Sequence, residues 1–415
     1  MRPTTAVGHR DHGGGRRLER LIPLDVAREK VMALAKPVEG TKRIGVEDAL
    51  GRVAAEDVRS TIDVPLVDRA AMDGYAVRSE DTQGAHRERP VTLRCIETLF
   101  AGTAPRKRVG PGTCAQIATG ATLPAGADAV VMVEVTERAG DEVRILSPVA
   151  AGKNMSAKGE DIRKGSVVIR RGDALSPARL GALTAIGRTR VTVYRKPRVA
   201  ILTTGNEVVP PGTRIRPGQV YDINSYTMAA VVRESGGEPE AMGRVRDDAA
   251  DLRRAVRAAL SRDLVVVSGG SSVGERDLLV DVLQDMGEVL FHGVAIKPGR
   301  PTLLGRVRGK PVLGMPGFAT SCLSNAYVLL APAVRAMARL PPRPPRVVEV
   351  PLSESINSPR GRVEFHTVRV EDGRAVPAFR ESSTITSMAH ADGYIEIPAD
   401  VERLERGARV RVVLF

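Results

Sequence analysis

At three points an apolar run gives way at once to glycine and hydroxyl residues. Val199 to Leu202 leads into Thr203-Thr204-Gly205-Asn206-Glu207, Leu264 to Val267 into Ser268-Gly269-Gly270-Ser271-Ser272-Val273-Gly274, and Val312-Leu313 into Gly314-Met315-Pro316-Gly317. Glycine lets backbone N–H groups approach phosphate oxygens, and a helix starting there adds the positive end of its dipole. The second stretch therefore reads as a phosphate cradle, with Thr204, Gly205, Ser268, Gly269, Gly270, Ser272, Gly274, Pro316 and Gly317 as candidate contacts. For one such loop alone a plain tight turn is the competing reading. Carboxylates keep it company: Glu207, Asp248 in Gly243-Arg244-Val245-Arg246-Asp247-Asp248, and Asp277 just past the cradle. Carboxylates beside phosphates repel unless a cation separates them, and Mg²⁺ is commonly held by one or two carboxylates plus phosphate oxygens. Glu207, Asp248 and Asp277 are thus candidate Mg²⁺ ligands. Asp248 and Asp277 are equally well placed to cap helices. Ile296-Lys297-Pro298-Gly299-Arg300-Pro301 sets two cations, Lys297 and Arg300, around a stiff turn, which suits an anion or simply faces solvent.

For these residues to meet, the elements between them must form one layer. Over 198–338 strand and helix alternate: helices near Tyr226 to Glu234, Asp251 to Leu260, Leu278 to Asp285 and Thr320 to Met337 separate strands at Val199 to Leu202, Ala241 to Val245, Leu264 to Val267, Val289 to Phe291 and Val312-Leu313. That alternation predicts a doubly wound α/β domain on a parallel sheet, whose ligands sit outside the carboxyl ends of the strands. The loops above lie at those ends. Upstream, residues 63–159 carry short alternating runs between Gly/Pro turns and read as a β-rich module. It holds Ala71-Met72-Asp73-Gly74-Tyr75-Ala76-Val77, a turn signal at Asp73-Gly74, then Thr119-Gly120-Ala121 and Lys153-Asn154-Met155-Ser156-Ala157-Lys158-Gly159-Glu160-Asp161. Composition alone does not bring these together. Ile22, Val26, Val31 and Leu34 have helical spacing, and Val46 to Val53 reads as a second short helix. Gly165 to Val193 returns to strand, helix, strand. Leu340 to Arg346, dense in proline, is a stiff linker before a small C-terminal β domain.

Composition narrows the partners. Hydrophobic residues at 42 % and charged residues at 27 % fit a folded, water-soluble chain. No apolar run reaches the roughly 18 residues of a spanning helix, and the start lacks the apolar core of a signal peptide. Three dispersed cysteines build neither a disulfide framework nor a metal knuckle, as expected in a reducing cytoplasm. The net charge of +13 could serve nucleic acid, but aromatic residues make up only 3 % and do not interleave with the basic ones. The same field suits a ligand rich in phosphate, or an oxyanion. Residues 1–20, basic and glycine-rich, read as a disordered tail.

The sequence AMDGYAV, TGA, GED, TGNE, YDIN (Tyr221 to Asn224), RDD, SGGSSVGE, KPGRP and GMPG, in that order, resembles the molybdopterin molybdenumtransferases, known as MoeA in bacteria and as the E domain of gephyrin in animals. The resemblance covers residues 20–415. It implies a multidomain α/β and β chain. A helical and mixed linking domain would take 21–62 plus 160–195, the β-rich module 63–159, a doubly wound α/β domain of molybdopterin-binding type 196–339, and a small barrel-like β domain 340–415. It further implies an L-shaped homodimer with cross-subunit active sites, and Mg²⁺-dependent insertion of molybdate into adenylylated molybdopterin with release of AMP. By motif, Asp73, Thr119, Glu207, Asp248 and Asp277 would be catalytic, and Lys297 and Arg300 anion contacts. A molybdopterin adenylyltransferase and apo-molybdoenzymes would be partners; membrane and nucleic acid would not. The chain differs from many bacterial members in having Ser156-Ala157-Lys158 where an Arg follows the Asn, Arg300 where Lys is common, and Phe318-Ala319 after GMPG. Alternative readings are a non-catalytic pterin-binding scaffold of the same fold, a tungsten-loading paralogue, and the adenylylating partner enzyme, which needs neither AMDGYAV nor the C-terminal β domain.

Overall fold

A computed structural model describes residues 21–269, 278–379 and 381–415. The chain divides into two compact units, one of residues 43–193 and one of residues 1–42 with 194–415.

The first unit is built on a six-stranded mixed sheet in the order Ala129–Met132, Gly74–Val77, Thr113–Ile117, Val91–Leu99, Glu142–Ile145, Thr136–Ala139. Alternation along its strands feeds two cores. Tyr75, Val77, Cys114 and Val131 turn to one side, Ala76, Ala115, Ile117 and Val130 to the other. Gly74–Val77 is buried at all four positions, so Gly74, half of the Asp73-Gly74 pair that reads as a turn in the sequence, opens an interior strand instead. Glycine is required at its first position, because a Cβ on Gly74 would lie 1.9 Å from the Val131 carbonyl oxygen. A third core gathers round the helix Pro177–Ala185, whose start has Ser176 as N-cap and Pro at its first turn. Val46 to Val53 is not the helix its spacing predicts. It forms tight turns closed by Asp48 N–H to Gly45 O and Ala49 N–H to Val46 O, with Gly51 at positive φ. Turns bury Val46, Ala49 and Val53 at the same interval a helix would, so the pattern does not separate the two.

In the second unit the α/β sheet runs Glu238–Val245, Arg198–Thr204, Leu264–Ser268, Lys310–Met315, Leu303–Val307, Glu288–His292. The first four strands are parallel, but Leu303–Val307 is antiparallel to both its neighbours, so the sheet is mixed and not parallel throughout. The extra strand follows from Arg308-Gly309. Both have positive φ, as a two-residue type I′ hairpin requires. Val199 and Ile201 point into a core with helices Leu24–Leu34, Asn224–Glu234 and the run Ala319–Met337, while Ala200 and Leu202 point into one with Ala249–Ala259 and Leu278–Met286. The run Ala319–Met337 contains a π-helical turn over Ala326–Leu330. Past the irregular 340–346 stretch comes the C-terminal sheet, in the order Val363–Glu371, Gly393–Ile397, Arg409–Leu414, Val347–Pro351. The outer edge of Val363–Glu371 is shared by Ile296–Lys297, paired in parallel with Val363-Glu364, and by Arg374–Pro377, antiparallel to Val368–Glu371. A piece of the Lys-Pro-Gly-Arg loop thus belongs to the C-terminal sheet.

Candidate active site

The parallel strands deliver their loops to one sheet edge, and the contacts between those loops define the site. Gly269 has φ +84°, and a Cβ there would sit 2.8 Å from both the carbonyl and the hydroxyl oxygen of Thr204. Its N–H reaches the Met315 carbonyl at 3.2 Å. Gly205, at φ +128°, leaves no room for a side chain beside Glu207 and Val208. The Thr204, Gly269 and Met315-Pro316-Gly317 segments are therefore in direct contact, and only glycine fits where they meet.

Asn224 locks this seam. Its amide nitrogen donates to Ser268 Oγ at 2.7 Å and to the Gly317 carbonyl at 2.7 Å, which fixes which end of the amide is nitrogen. Its own oxygen, like Thr204 Oγ1, is buried with no protein partner among the described residues. Buried polar atoms are nearly always satisfied, so two orphans at one loop cluster point to a polar ligand. Asp222 supports the arrangement by accepting from Thr203 Oγ1 at 3.2 Å and from Ser225 N–H at 3.0 Å. Cys322 Sγ is 3.9 Å from Ser268 Oγ, but complete burial pushes its thiol up to about 12, so it offers no thiolate to a metal.

The expected carboxylates divide. Asp248 is an N-cap: its Oδ1 accepts from Ala250 N–H at 2.9 Å and Asp251 N–H at 3.0 Å. Neighbouring Asp247 ties this loop to the first by accepting from Asn206 N–H at 3.1 Å, while Arg244 donates to the Asn206 and Val208 carbonyls at 3.2 and 3.0 Å. Glu207 and Asp248 are both exposed at that junction. No three His, Cys, Asp or Glu side chains gather into a metal cluster among the described residues. Asp277, Gly270, Ser272 and Gly274 lie outside the described residues.

The Lys-Pro-Gly-Arg loop is held from two sides. Asn325, at the entry to the π-helical turn, donates to the Gly299 carbonyl at 3.0 Å and Thr302 Oγ1 at 2.5 Å, and Gly299, at φ +101°, has no space for a side chain against it. Lys297 Nζ is 3.1 Å from Glu364 Oε1 of the C-terminal sheet. Arg300 is partly exposed. The helix that follows Gly317 begins at Ala319, and Thr320 in its first turn donates through its N–H and Oγ1 to the Ser382 and Thr384 carbonyls at 3.1 and 2.9 Å.

In the first unit the three polar clusters left apart by composition do converge. Thr119 donates to Asp73 Oδ1 through its N–H at 2.6 Å and its hydroxyl at 2.8 Å, and the backbone bond first, then the hydroxyl, holds the Asp73 carboxyl below the usual carboxylate range. Ala71 N–H reaches the Asn154 carbonyl at 2.9 Å, and Asn154 donates to the Val130 carbonyl at 2.8 Å. Lys158 N–H donates to Asp68 Oδ1 at 2.7 Å. Asp73 thus stands exposed, held in place by Thr119 and favoured in its charged form.

Comparison with known proteins meets the same architecture. Residues 22–187 match the MoeA N-terminal region (domain I and II), 200–336 the probable molybdopterin binding domain, and 349–415 the MoeA C-terminal region (domain IV). Molybdopterin molybdenumtransferase 2 of Mycobacterium tuberculosis is 35 % identical over 399 residues, spanning 92 % of this chain and 96 % of the relative. The molybdopterin molybdenumtransferase of Bacillus subtilis is 32 % identical over 405 residues, spanning 95 % and 94 %. The crystal structure of a molybdopterin biosynthesis MoeA protein from Pyrococcus horikoshii has a TM-score of 0.83 at 33 % identity and covers 95 % of this chain and 100 % of that one. With its site loops, its three consecutive regions and nearly its full length accounted for, the chain belongs to the MoeA family.

Proposed function

We propose that the chain inserts molybdenum in molybdenum cofactor biosynthesis: it binds adenylylated molybdopterin, takes up molybdate as the second substrate and releases AMP. The observation that carries this reading is the seam at the sheet edge, where glycine-only contacts and Asn224 hold three loops together around two buried polar atoms without partners among the described residues. Such a cradle suits a phosphate-bearing ligand. The donor set fits Mg²⁺ as well. Asp248 spends one oxygen on its helix start, and with Glu207 exposed on the loop that Asp247 and Arg244 tie to its own, the pair suits a cation that takes its remaining ligands from phosphate and water. Asp277, by motif, would complete the set. A bound Mg²⁺ would neutralise the charge that builds on the phosphate oxygens as AMP leaves.

The chain's own groups supply the rest. Backbone N–H groups of the cradle hold the pyrophosphate, and Lys297 and Arg300 attract the oxyanion. Asp73, kept ionised by Thr119, orients a water by accepting a hydrogen bond from its O–H. The family resemblance brings the Asp73 edge of one subunit to the cradle of another in a homodimer, in the cytoplasm. An adenylyltransferase then supplies the pterin, and apo-molybdoenzymes receive the product.

Purified protein incubated with adenylylated molybdopterin, Mg²⁺ and molybdate should release AMP in a molybdate-dependent manner. AMP release that ignores molybdate, or none at all, would sink the transferase reading.

A further inference from the structure

Among the described residues of the C-terminal β domain is a buried carboxylate, Glu364, that the fold does not explain. Glu364 is 1 % exposed and lies on Val363–Glu371, the strand that accepts Ile296–Lys297 at its edge. Its Oε1 takes Lys297 Nζ at 3.1 Å and His366 Nδ1 at 3.2 Å; since a carboxylate only accepts, His366 carries its proton on that nitrogen. Oε2 and His366 Nε2 are buried without partners among the described residues. Burial alone would raise the Glu364 carboxyl, but His366, the nearby Ser358 hydroxyl and the hydrogen bond and charge of Lys297 outweigh it and bring the group below its usual range. Glu364 is therefore an anion enclosed in a β domain.

Stability is a poor reason to keep such a group. Apolar residues of similar volume commonly replace buried ion pairs at no loss, and an unsatisfied buried oxygen is a cost. What the arrangement does achieve is placement. Lys297 has four rotatable methylenes and retains 35 % side-chain exposure, yet its ammonium is fixed between the Glu364 carboxylate and the Phe379 ring, 5.8 Å from the ring centroid. Phe379 in turn lies 5.5 Å from the His366 ring. Carboxylate, imidazole and phenyl ring thus form a socket that leaves one side of the ammonium open.

We propose that Glu364, oriented by His366, is a positioning residue that sets the Lys297 ammonium for anion binding, so that the C-terminal β domain takes part in substrate capture without touching substrate. This rests on the assignment of Lys297 as an anion contact. Glu364→Gln keeps the shape and removes the charge. In full-length protein it should raise KM for molybdate about tenfold and leave kcat within about twofold, because it loosens a contact made in the ground state and transition state alike. Glu364→Asp, which keeps the charge at shorter reach and guards against a folding defect, should give an intermediate rise. Because Glu364 acts through Lys297, adding Glu364→Gln to Lys297→Gln should change KM by less than about twofold.

Reductive methylation followed by peptide mass spectrometry reads the tether without any activity. Glu364→Gln should speed labelling of Lys297 several-fold and leave exposed Lys36 unchanged. Unaltered Lys297 labelling would overturn the inference, as would a full tenfold effect persisting in the Lys297→Gln background. Faster labelling with unchanged KM would overturn the role in anion binding. If the wild-type protein released no AMP with molybdate, the transferase reading would fail, while the labelling still decided whether Glu364 holds Lys297.

Discussion

Asp73 shows how much a single hydrogen-bonded pair can settle. Its carboxylate is exposed, yet the Thr119 N–H and hydroxyl fix its orientation and favour its charged form. Asp73→Asn keeps an oxygen that accepts both bonds, so the fold should persist while the charge is lost. We expect turnover to fall on the order of a hundredfold, the loss typical of one electrostatic contact in a preorganised site, with little change in Tm at neutral pH. The pH dependence has a definite sign. A carboxyl depressed in the folded state contributes stability above its unfolded pKa and loses it as pH falls through the folded one, so any stability gap between wild type and variant should narrow below about pH 4. Thermal melts of both proteins across that range, with AMP release at neutral pH, check the pair of effects; a variant that melts early but turns over normally would make Asp73 structural. At this scale the glycine and hydroxyl loops were legible, because each follows its strand directly in the chain. Asp248 as a cap was legible too, from its place before a helix. Asn325 and Glu364 were not, since what makes them matter is a partner far away in sequence, and nothing local in VEFH or SNA signals it. Asn224 appeared only as a letter in YDIN; its bonds to two loops needed the fold.

The elements were readable where hydrophobic period and length agreed. Leu24–Leu34, Asn224–Glu234, Ala249–Ala259 and Leu278–Met286 lie within a few residues of their predicted spans. Reading failed where two structures share a spacing, as in the turns at Val46 to Val53, or where a strong turn pair misleads. Asp73-Gly74 is such a pair, yet Gly74 opens a central strand because the neighbouring Val131 carbonyl comes so close. Leu303–Val307 was missed because proline at 298, 301 and 311 and glycine at 299, 305 and 309 break up its apolar pattern. Gly74 gives the element-scale prediction. Gly74→Ala forces a Cβ against backbone, which cannot swing aside like a side chain, so the unit of residues 43–193 should lose about 3 kcal/mol or more. Hydrogen exchange should localise that loss to the sheet containing Gly74–Val77 and spare the α/β sheet; uniform protection in both would mean that the strand absorbs the methyl group.

On the scale of the whole molecule, the catalytic assignments fall into two units, Asp73 and Thr119 in one and Glu207, Asp248 and the cradle in the other. If active sites form across subunits of a homodimer, two inactive variants should rescue one another. Mixing Asp73→Asn subunits with Asp277→Asn subunits should restore up to about a quarter of the wild-type sites, the fraction expected when half the dimers are mixed and each has one intact site. Heterodimers purified with two different tags and assayed for AMP release provide the check, and inactive verified heterodimers would place each site within one chain. One further consequence follows from the pairing of Ile296–Lys297 with Val363-Glu364. Anyone wishing to shorten this protein to a minimal catalyst would cut at the proline-dense stretch near residue 340, where the sequence invites it. That cut would strip an edge strand of the neighbour it pairs with in the C-terminal sheet and slacken the loop that carries Lys297 and Arg300. The boundary that is natural for the chain is not natural for the chemistry, and a working miniature would have to bring a substitute strand of its own.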